Sequence, residues 1–354
     1  MIELLRQLLA IPSPTFKEQE IVRFLKKWMH ENFTDITITE FKDSIICHFP
    51  WTEGKPHISL VGHSDVVPEF FEPYFEGDKL YGSGGSDMTG ALAAYMHLMK
   101  LKQKEVLNNF NISILIYSRE EGTKVEENGL YDLINEYPDY FKSVDLAIVG
   151  EPTDNTIQIG CVGSTHAEVI VRGVACHSAR PWNGENAIYK ALPLIDAFAQ
   201  TKEESHTLFG VDFFDVMQIT ESYSEAGRTS LPGYWRGNIN FRFAPIYTVE
   251  EAEAKLTKKV EDLGLDGVEF RILDSSPCGS VIENDVFRDA VAKLALPVEA
   301  KQAWTDVAQL TALGVSAFNF GPGLTSQAHK KDEYILVSYM EEHYKALDAF
   351  LAAE

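Results

Sequence analysis

The chain has 354 residues, 45% hydrophobic and 24% charged, a make-up that suits a soluble globular protein of about two domains. Its 53 acidic residues against 31 basic ones leave a formal net charge of −22, which argues against nucleic acid or an anionic membrane surface as a partner. Four scattered cysteines (Cys47, Cys161, Cys176, Cys278), a start that is not basic and carries Glu3 early, and no apolar run near the ~20 residues that span a bilayer point to free thiols in a cytoplasmic protein.

Residues 2–10 form an apolar-faced helix that Ile11-Pro12-Ser13-Pro14 ends. Residues 15–29 read as a second helix, opened by a capping box of Thr15 and Glu18. Residues 36–39 alternate as a half-buried strand, 44–49 are its neighbour, and 57–62 are apolar enough for a central strand. A helix over 89–101 precedes buried strands at 111–117 and 144–149. Alternating strands and helices imply an α/β domain with a mixed, partly parallel sheet flanked by helices. In such folds the functional groups gather at the C-terminal ends of strands.

The texture changes after residue 156. Two strands, a helix over 185–200, strands at 211–220 and 234–243, a helix over 249–263 and a strand at 268–274 make an α+β unit. The α/β pattern resumes with helices at 284–294, 303–313 and 338–351 and a strand at 316–320. The expected organisation is a discontinuous domain, residues 1–160 and 275–354, with residues 161–274 inserted.

Chemistry-bearing residues sit at successive strand ends. The first central strand stops at Gly62-His63-Ser64-Asp65, and a Gly-rich loop then ends in Asp87. The next strand runs into Ser118-Arg119-Glu120-Glu121, the third into Gly150-Glu151-Pro152, and His329 follows the last. Taken singly, each has an ordinary structural role as a turn, cap or core residue. Adjacent buried carboxylates raise one another's pKa unless a cation intervenes, so Glu120-Glu121 points to a metal, with one as ligand and the other as general base. Two histidines and three carboxylates hold two Zn²⁺ ions if one carboxylate bridges them, and Asp87, approached through glycines, is the natural bridge. Asp65 is placed to accept the second imidazole N–H of His63. Water between two such ions is acidified, and Glu120 takes its proton and passes it to a leaving amine. This is amide hydrolysis, with phosphoester hydrolysis as the weaker alternative.

The ordered segments GHSDVVP, YGSGGSDMTG, SREEG, VGEP and AHKKDEY resemble the family of co-catalytic zinc aminoacylases and carboxypeptidases. That family includes acetylornithine deacetylase and succinyl-diaminopimelate desuccinylase. The resemblance implies one Zn²⁺ on His63, Asp87 and Glu151 and a second on Asp87, Glu121 and His329, with Co²⁺ or Mn²⁺ able to substitute. It implies Glu120 as catalytic base and a cis peptide at Asp87-Met88. It also implies that the insertion is a dimerisation or lid domain of a homodimer. His177, in ACHSAR, would then stabilise the tetrahedral oxyanion, in its own or the partner subunit.

More narrowly, GEPTDNTIQIGCVGSTH, HSARPWNGENAIYKA, NINFRFAP and WTDVAQLTALGVSAFNFGPG are similar to actinobacterial-type succinyl-diaminopimelate desuccinylases. Arg242 matches an arginine that binds a substrate carboxylate there, and Thr305 and Asp306 match a loop beside the substrate. Where the family has Asn, this chain has Thr229, and the preceding Arg228 becomes a candidate second carboxylate anchor. The implied activity is hydrolysis of a small N-acyl amino acid, N-succinyl-LL-2,6-diaminopimelate, to succinate and LL-2,6-diaminopimelate in lysine biosynthesis. The alternatives are acetylornithine deacetylase or another acyl-amino-acid hydrolase or peptidase of the family, and a metal-binding homologue without catalysis. The intact Glu120 and His177 count against the last.

Overall fold

Strands that are apolar on both faces must be covered on both faces, and helices do this in α/β folds. The computed structural model describes residues 1–67, 70–225 and 227–352. The chain divides into two compact units, Met1–Gly160 with Ser280–Glu299 and Thr305–Glu354, and Cys161–Gly279 with Ala300–Trp304.

In the first unit, helices α1 (Ile2–Leu9) and α2 (Gln19–Asn32) precede strands β1 (Thr37–Phe41), β2 (Ser44–His48) and β3 (His57–His63). Short strands β4 (Tyr74–Glu76) and β5 (Lys79–Tyr81) follow, then helix α3 (Gly90–Asn109) and β6 (Asn111–Tyr117). Helices α4 (Gly129–Glu136) and α5 (Pro138–Lys142) lead to β7 (Leu146–Val149) and β8 (Ile157–Ile159). The insertion begins with β9 (Gly163–Arg172), β10 (Cys176–His177), α6 (Ala187–Ala199), β11 (Glu204–Leu208) and β12 (Val211–Ser224). It continues through β13 (Ser230–Leu231), β14 (Tyr234–Phe243), α7 (Val249–Glu261) and β15 (Val268–Ser276). The chain returns through α8 (Asp285–Leu294), β16 (Val298–Ala300), α9 (Val307–Ala312), β17 (Ala317–Asn319), β18 (Tyr334–Leu336) and α10 (Val337–Leu351).

The large sheet has the order β1-β2-β6-β3-β7-β17-β8-β16. Strand β3 is parallel to β6 and β7, and β17 is parallel to β7, while β1, β2 and β8 join antiparallel. Every residue of β3, β6 and β7 is buried, as their largely apolar sequences require. The register sets His63 beside Tyr117 and Val61 beside Val149, so the chain leaves three neighbouring strands at one edge. Glycine lets α3 approach that edge: a Cβ on Gly62 would lie 2.5 Å from Met88 Cε, and one on Gly150 2.4 Å from Ala91 Cβ.

The insertion is an antiparallel sheet of order β11-β12-β14-β9-β15. Alternation along β9 and β14 buries Ala167, Val169, Val171, Ile239 and Phe241 against Leu194 and Phe198 of α6 and Leu256 of α7.

Local rules fail where tertiary partners take over. No capping box forms at Thr15: α2 begins at Gln19 with no side-chain cap. The Thr15 hydroxyl instead donates toward Asp65 Oδ2 (3.1 Å) and the Glu121 carbonyl (3.2 Å), and Glu18 Oε1 accepts the N–H groups of Phe16 and Arg119. The helix read over 303–313 is shortened to α9. Residues 300–304 before it belong to the insertion, where Lys301 O accepts the Val162 N–H and Gln302 bonds both backbone groups of Phe214. Strands of two or three residues, such as β4, β5, β10, β13 and β18, are too short to show a period.

Two buried histidines make the first unit acid-sensitive. His57 sits between Ser113 Oγ (2.9 Å) and the Ser143 carbonyl (3.1 Å), and burial pulls its pKa down to about 4. Burial pulls His343, packed on Phe320, down to about 3. Both are neutral in the fold, whereas the unfolded chain takes up their protons below about pH 6.5. Stability is therefore full above pH 6.5 and falls as pH drops toward 4, by on the order of 3 kcal/mol for His57. Urea unfolding between pH 7 and 4.5 should show this slope, and His57→Gln should flatten it; an unchanged slope would refute the assignment.

Candidate metal centre

The edge where β3, β6 and β7 end collects the polar residues that follow them. His63 closes β3, and its Nδ1 lies 2.8 Å from the Asp65 carbonyl oxygen. A carbonyl only accepts, so Nδ1 carries the proton and the Nε2 lone pair is left for a cation. Nε2 lies 3.3 Å from Asp87 Oδ1 and 3.9 Å from Glu151 Oε1. The orienting group is thus the Asp65 backbone and not its carboxylate, which stands 3.7 Å from Nδ1. That carboxylate is engaged by backbone donors instead, since Oδ1 accepts the Glu120 N–H (3.0 Å) and Oδ2 the Glu121 N–H (2.9 Å). It holds the carboxylate turn after β6.

Asp87 follows the glycine loop and precedes α3, and its peptide bond to Met88 is cis. Buried Glu333 grips this loop: Oε2 accepts the Gly84 N–H (2.8 Å), and Oε1 accepts those of Ser86 (2.8 Å) and Asp87 (2.9 Å). Burial raises Glu333 to about 7, against the opposing pull of these bonds. Sequence reasoning missed Glu333. It lies four residues past His329 in a polar run, with nothing in the pattern to say that it turns inward. His329 has left-handed backbone (φ 61°), and its Nε2 lies 3.0 Å from Glu121 Oε2 and 3.7 Å from Asp87 Oδ2.

Two ligand groups result, His63-Asp87-Glu151 and Asp87-Glu121-His329, each with donor atoms within 4.8 Å of one another. Asp87 belongs to both, with Oδ1 toward the first histidine and Oδ2 toward the second. Glu120 joins a third, overlapping group with His63 and Glu121. Burial, then the charges of Glu121, Glu151 and Asp306, push Glu120 well above the usual carboxylate range, although His63 opposes them. Burial followed by Asp87 raises Glu121, while His329 offsets part of the shift. The Glu121 hydrogen bond lifts His329 to about 9, and burial alone would lower His63, yet Asp87 and its neighbouring carboxylates hold it well above normal. The cluster demands positive charge. Glu121 Oε1 is buried with no hydrogen-bond partner among the described residues, so the donor set fits divalent cations.

A fourth group, Glu204-His206-Asp215 in the insertion, does not fit one. Its centre is taken by the Lys255 ammonium, 2.7 Å from both carboxylates.

The remaining predicted residues lie elsewhere. Thr305 is buried in the first unit, ahead of α9, beside Asp306, whose carboxylate accepts from Asn128 and Gln309. His177, Arg228 and Arg242 belong to the insertion. His177 lies exposed on the β10–β13 ribbon opposite Ser230, and Ser178 bonds Thr229, next to Arg228. The Ala179 N–H donates to His177 Nδ1 (3.1 Å), which leaves the ring proton on Nε2. Arg242 donates to Asn240 Oδ1 (3.1 Å) and pairs with no carboxylate among the described residues; burial lowers its pKa.

The profile of Peptidase family M20/M25/M40 matches residues 59–353. The chain belongs to this family. The succinyl-diaminopimelate desuccinylase of Corynebacterium glutamicum is 30% identical over 360 residues, covering 99% of this chain and 96% of the relative. The aminopeptidase PepT of Bacillus cereus shares the fold with a TM-score of 0.76 at 16% identity, over 99% of this chain and 97% of that one. The M20 family metallo-carboxypeptidase Sso-CP2 of Sulfolobus solfataricus does so with a TM-score of 0.75 at 18% identity, over 99% and 98%. This M20 member is a metallohydrolase of amide bonds built as an α/β domain with an inserted α+β unit, and none of its described helices is long and apolar enough to cross a membrane.

Glu333→Gln leaves one accepting oxygen for three N–H groups and turns a donor toward them. Metal affinity should fall about 10- to 100-fold, read by titration calorimetry with Zn²⁺. Unchanged affinity would show that the glycine loop holds itself.

Proposed function

We propose that this chain is a cytoplasmic, homodimeric di-zinc hydrolase that cleaves N-succinyl-LL-2,6-diaminopimelate to succinate and LL-2,6-diaminopimelate. The observation that carries the hydrolytic reading is Asp87, whose two oxygens face two separate histidine-containing groups, with half-buried Glu120 beside them. The substrate is taken from the C. glutamicum relative, aligned over almost the whole of both chains. His63, Asp87 and Glu151 would hold one ion, and Asp87, Glu121 and His329 the other. When bound, Zn²⁺, or Co²⁺ or Mn²⁺ in its place, supplies Lewis acidity and makes water a nucleophile at neutral pH.

The chain's own residues do the rest. Glu120 accepts the proton of the attacking water and returns it to the leaving amine nitrogen, a role suited to a carboxylate whose proton affinity burial has raised. His177, protonated on Nε2, donates a hydrogen bond to the developing oxyanion. Arg242, which pairs with no carboxylate among the described residues, anchors a substrate carboxylate, with Arg228 as a second anchor and Thr305 as a further contact.

A second copy suits the exposed face of α6, where Ile188, Tyr189 and Leu192 are 38%, 69% and 52% accessible. Beside this helix, β12 pairs with β11 as far as Asp215, and among the described residues its later part has an edge for strand addition.

Purified protein should release succinate from N-succinyl-LL-2,6-diaminopimelate faster than it deacylates acetylornithine or cleaves dipeptides. Activity confined to the other substrates would sink the assignment. Glu120→Gln should lower kcat by about 10²- to 10⁴-fold with metal still bound. Arg228→Ala should raise KM for the succinylated substrate with little change in kcat, and an unaltered KM would remove Arg228 from the site.

A further inference from the structure

The turn that carries Glu120 and Glu121 is held from outside, partly by Asp65 and partly by the N-terminal loop between α1 and α2. Ser13 O accepts the Val66 N–H (3.0 Å), and Pro14 forms a parallel bridge with Val66, so the loop lies along the segment that leaves β3. The next residue, Thr15, places its hydroxyl between Asp65 Oδ2 (3.1 Å) and the Glu121 carbonyl (3.2 Å). Phe16 then takes left-handed backbone (φ 69°), with its N–H on Glu18 Oε1 (3.0 Å). The same oxygen accepts the N–H of Arg119 (2.9 Å), itself left-handed (φ 58°).

Together with Asp65, these contacts cover the turn. Glu18 takes the N–H of Arg119, Asp65 takes those of Glu120 and Glu121, and Thr15 takes the Glu121 carbonyl. These hydrogen bonds belong to no helix or strand. Thr15 touches both Asp65 and the turn that Asp65 grips, so it sets the spacing between clamp and clamped segment. Glu18 is 1% exposed, a buried carboxylate whose nearest described donors are peptide N–H groups.

We propose that Thr15 and Glu18 are positioning residues for Glu120 and Glu121, acting on the base and on one metal ligand without touching substrate. The inference rests on the reading of those two glutamates given above. Without the Thr15 hydroxyl, the Glu121 carbonyl loses its donor and the turn can slide relative to Asp65. Glu121 sits in the Asp87-Glu121-His329 group and not in the His63-Asp87-Glu151 group, so one metal equivalent should weaken while the other is spared.

The test uses the full chain stripped of metal and titrated with Co²⁺ and then with Zn²⁺, followed by visible absorption of the Co²⁺ form and by calorimetry. Thr15→Val keeps the shape and removes the donor. It should bind one of two equivalents about 10- to 100-fold more weakly, alter the Co²⁺ spectrum, and lower kcat over a similar range with KM little changed. Thr15→Ser should restore all three readouts, and Glu18→Gln, which keeps an accepting oxygen, should do far less harm than Glu18→Leu. If Thr15→Val binds both equivalents with wild-type affinity and turns over normally, the inference is wrong. It is equally wrong if Thr15→Val loses only melting temperature while the folded protein binds both equivalents as before. Should Glu18→Leu fail to fold, the threonine pair decides. A wild-type chain that takes up fewer than two equivalents would instead overturn the underlying reading of the centre, and this inference with it.

Discussion

Carboxylates that converge in a buried space repel one another, and the first unit is arranged around that repulsion. Asp87, Glu120, Glu121 and Glu151 face two imidazoles and raise their proton affinity, which is the electrostatic condition for holding cations. Asp65, Glu333 and Glu18 sit among them but are satisfied differently, by peptide N–H groups of the loops that carry the others. N–H bonds to an ionised oxygen are among the stronger hydrogen bonds in proteins, and each also joins distant parts of the chain. Glu333 and Asp87 are 246 residues apart in sequence, and Glu18 and Arg119 are 101.

The sheet makes such an arrangement possible. Parallel β3, β6 and β7 end at one edge, so three separate loops start within reach of one another without any long excursion. Helix α3 then presses its start against that edge through Gly62 and Gly150, which brings Asp87 to the histidine that closes β3. The antiparallel insertion is a different kind of support. Its one-sided core leaves the β10–β13 ribbon and the open face of α6 to carry His177 and the exposed apolar residues.

Much of this is legible in the residues. Largely apolar runs at 57–62 and 111–117 and the strict alternation across 165–172 correspond to strands β3, β6 and β9, because burial on two faces or on one face writes itself directly into the pattern. The residues His63, Asp87, Glu120, Glu121 and Glu151 stand out because each follows such a strand or a glycine loop. Thr15 and Glu18 read wrongly as a helix cap, since a Thr-x-x-Glu spacing has the same local chemistry whether its partners are the next helix turn or a loop a hundred residues on. The expectation for Asp65 fails for a similar reason. Spacing places a side chain near His63, but it does not say which of two competing donors the side chain will take.

What the sequence determined by itself was therefore the inventory: which strands are buried, where they end, and which acids and imidazoles stand at those ends. Periodicity and chain punctuation are local properties, and local properties suffice for that. Which carboxylates face one another and which are absorbed by backbone N–H groups was decided only by the tertiary structure. A carboxylate next to a peptide donor and one next to another carboxylate are the same residue in the sequence, and only the packing of Glu18, Asp65 and Glu333 against loops far along the chain tells them apart from Asp87 and Glu121.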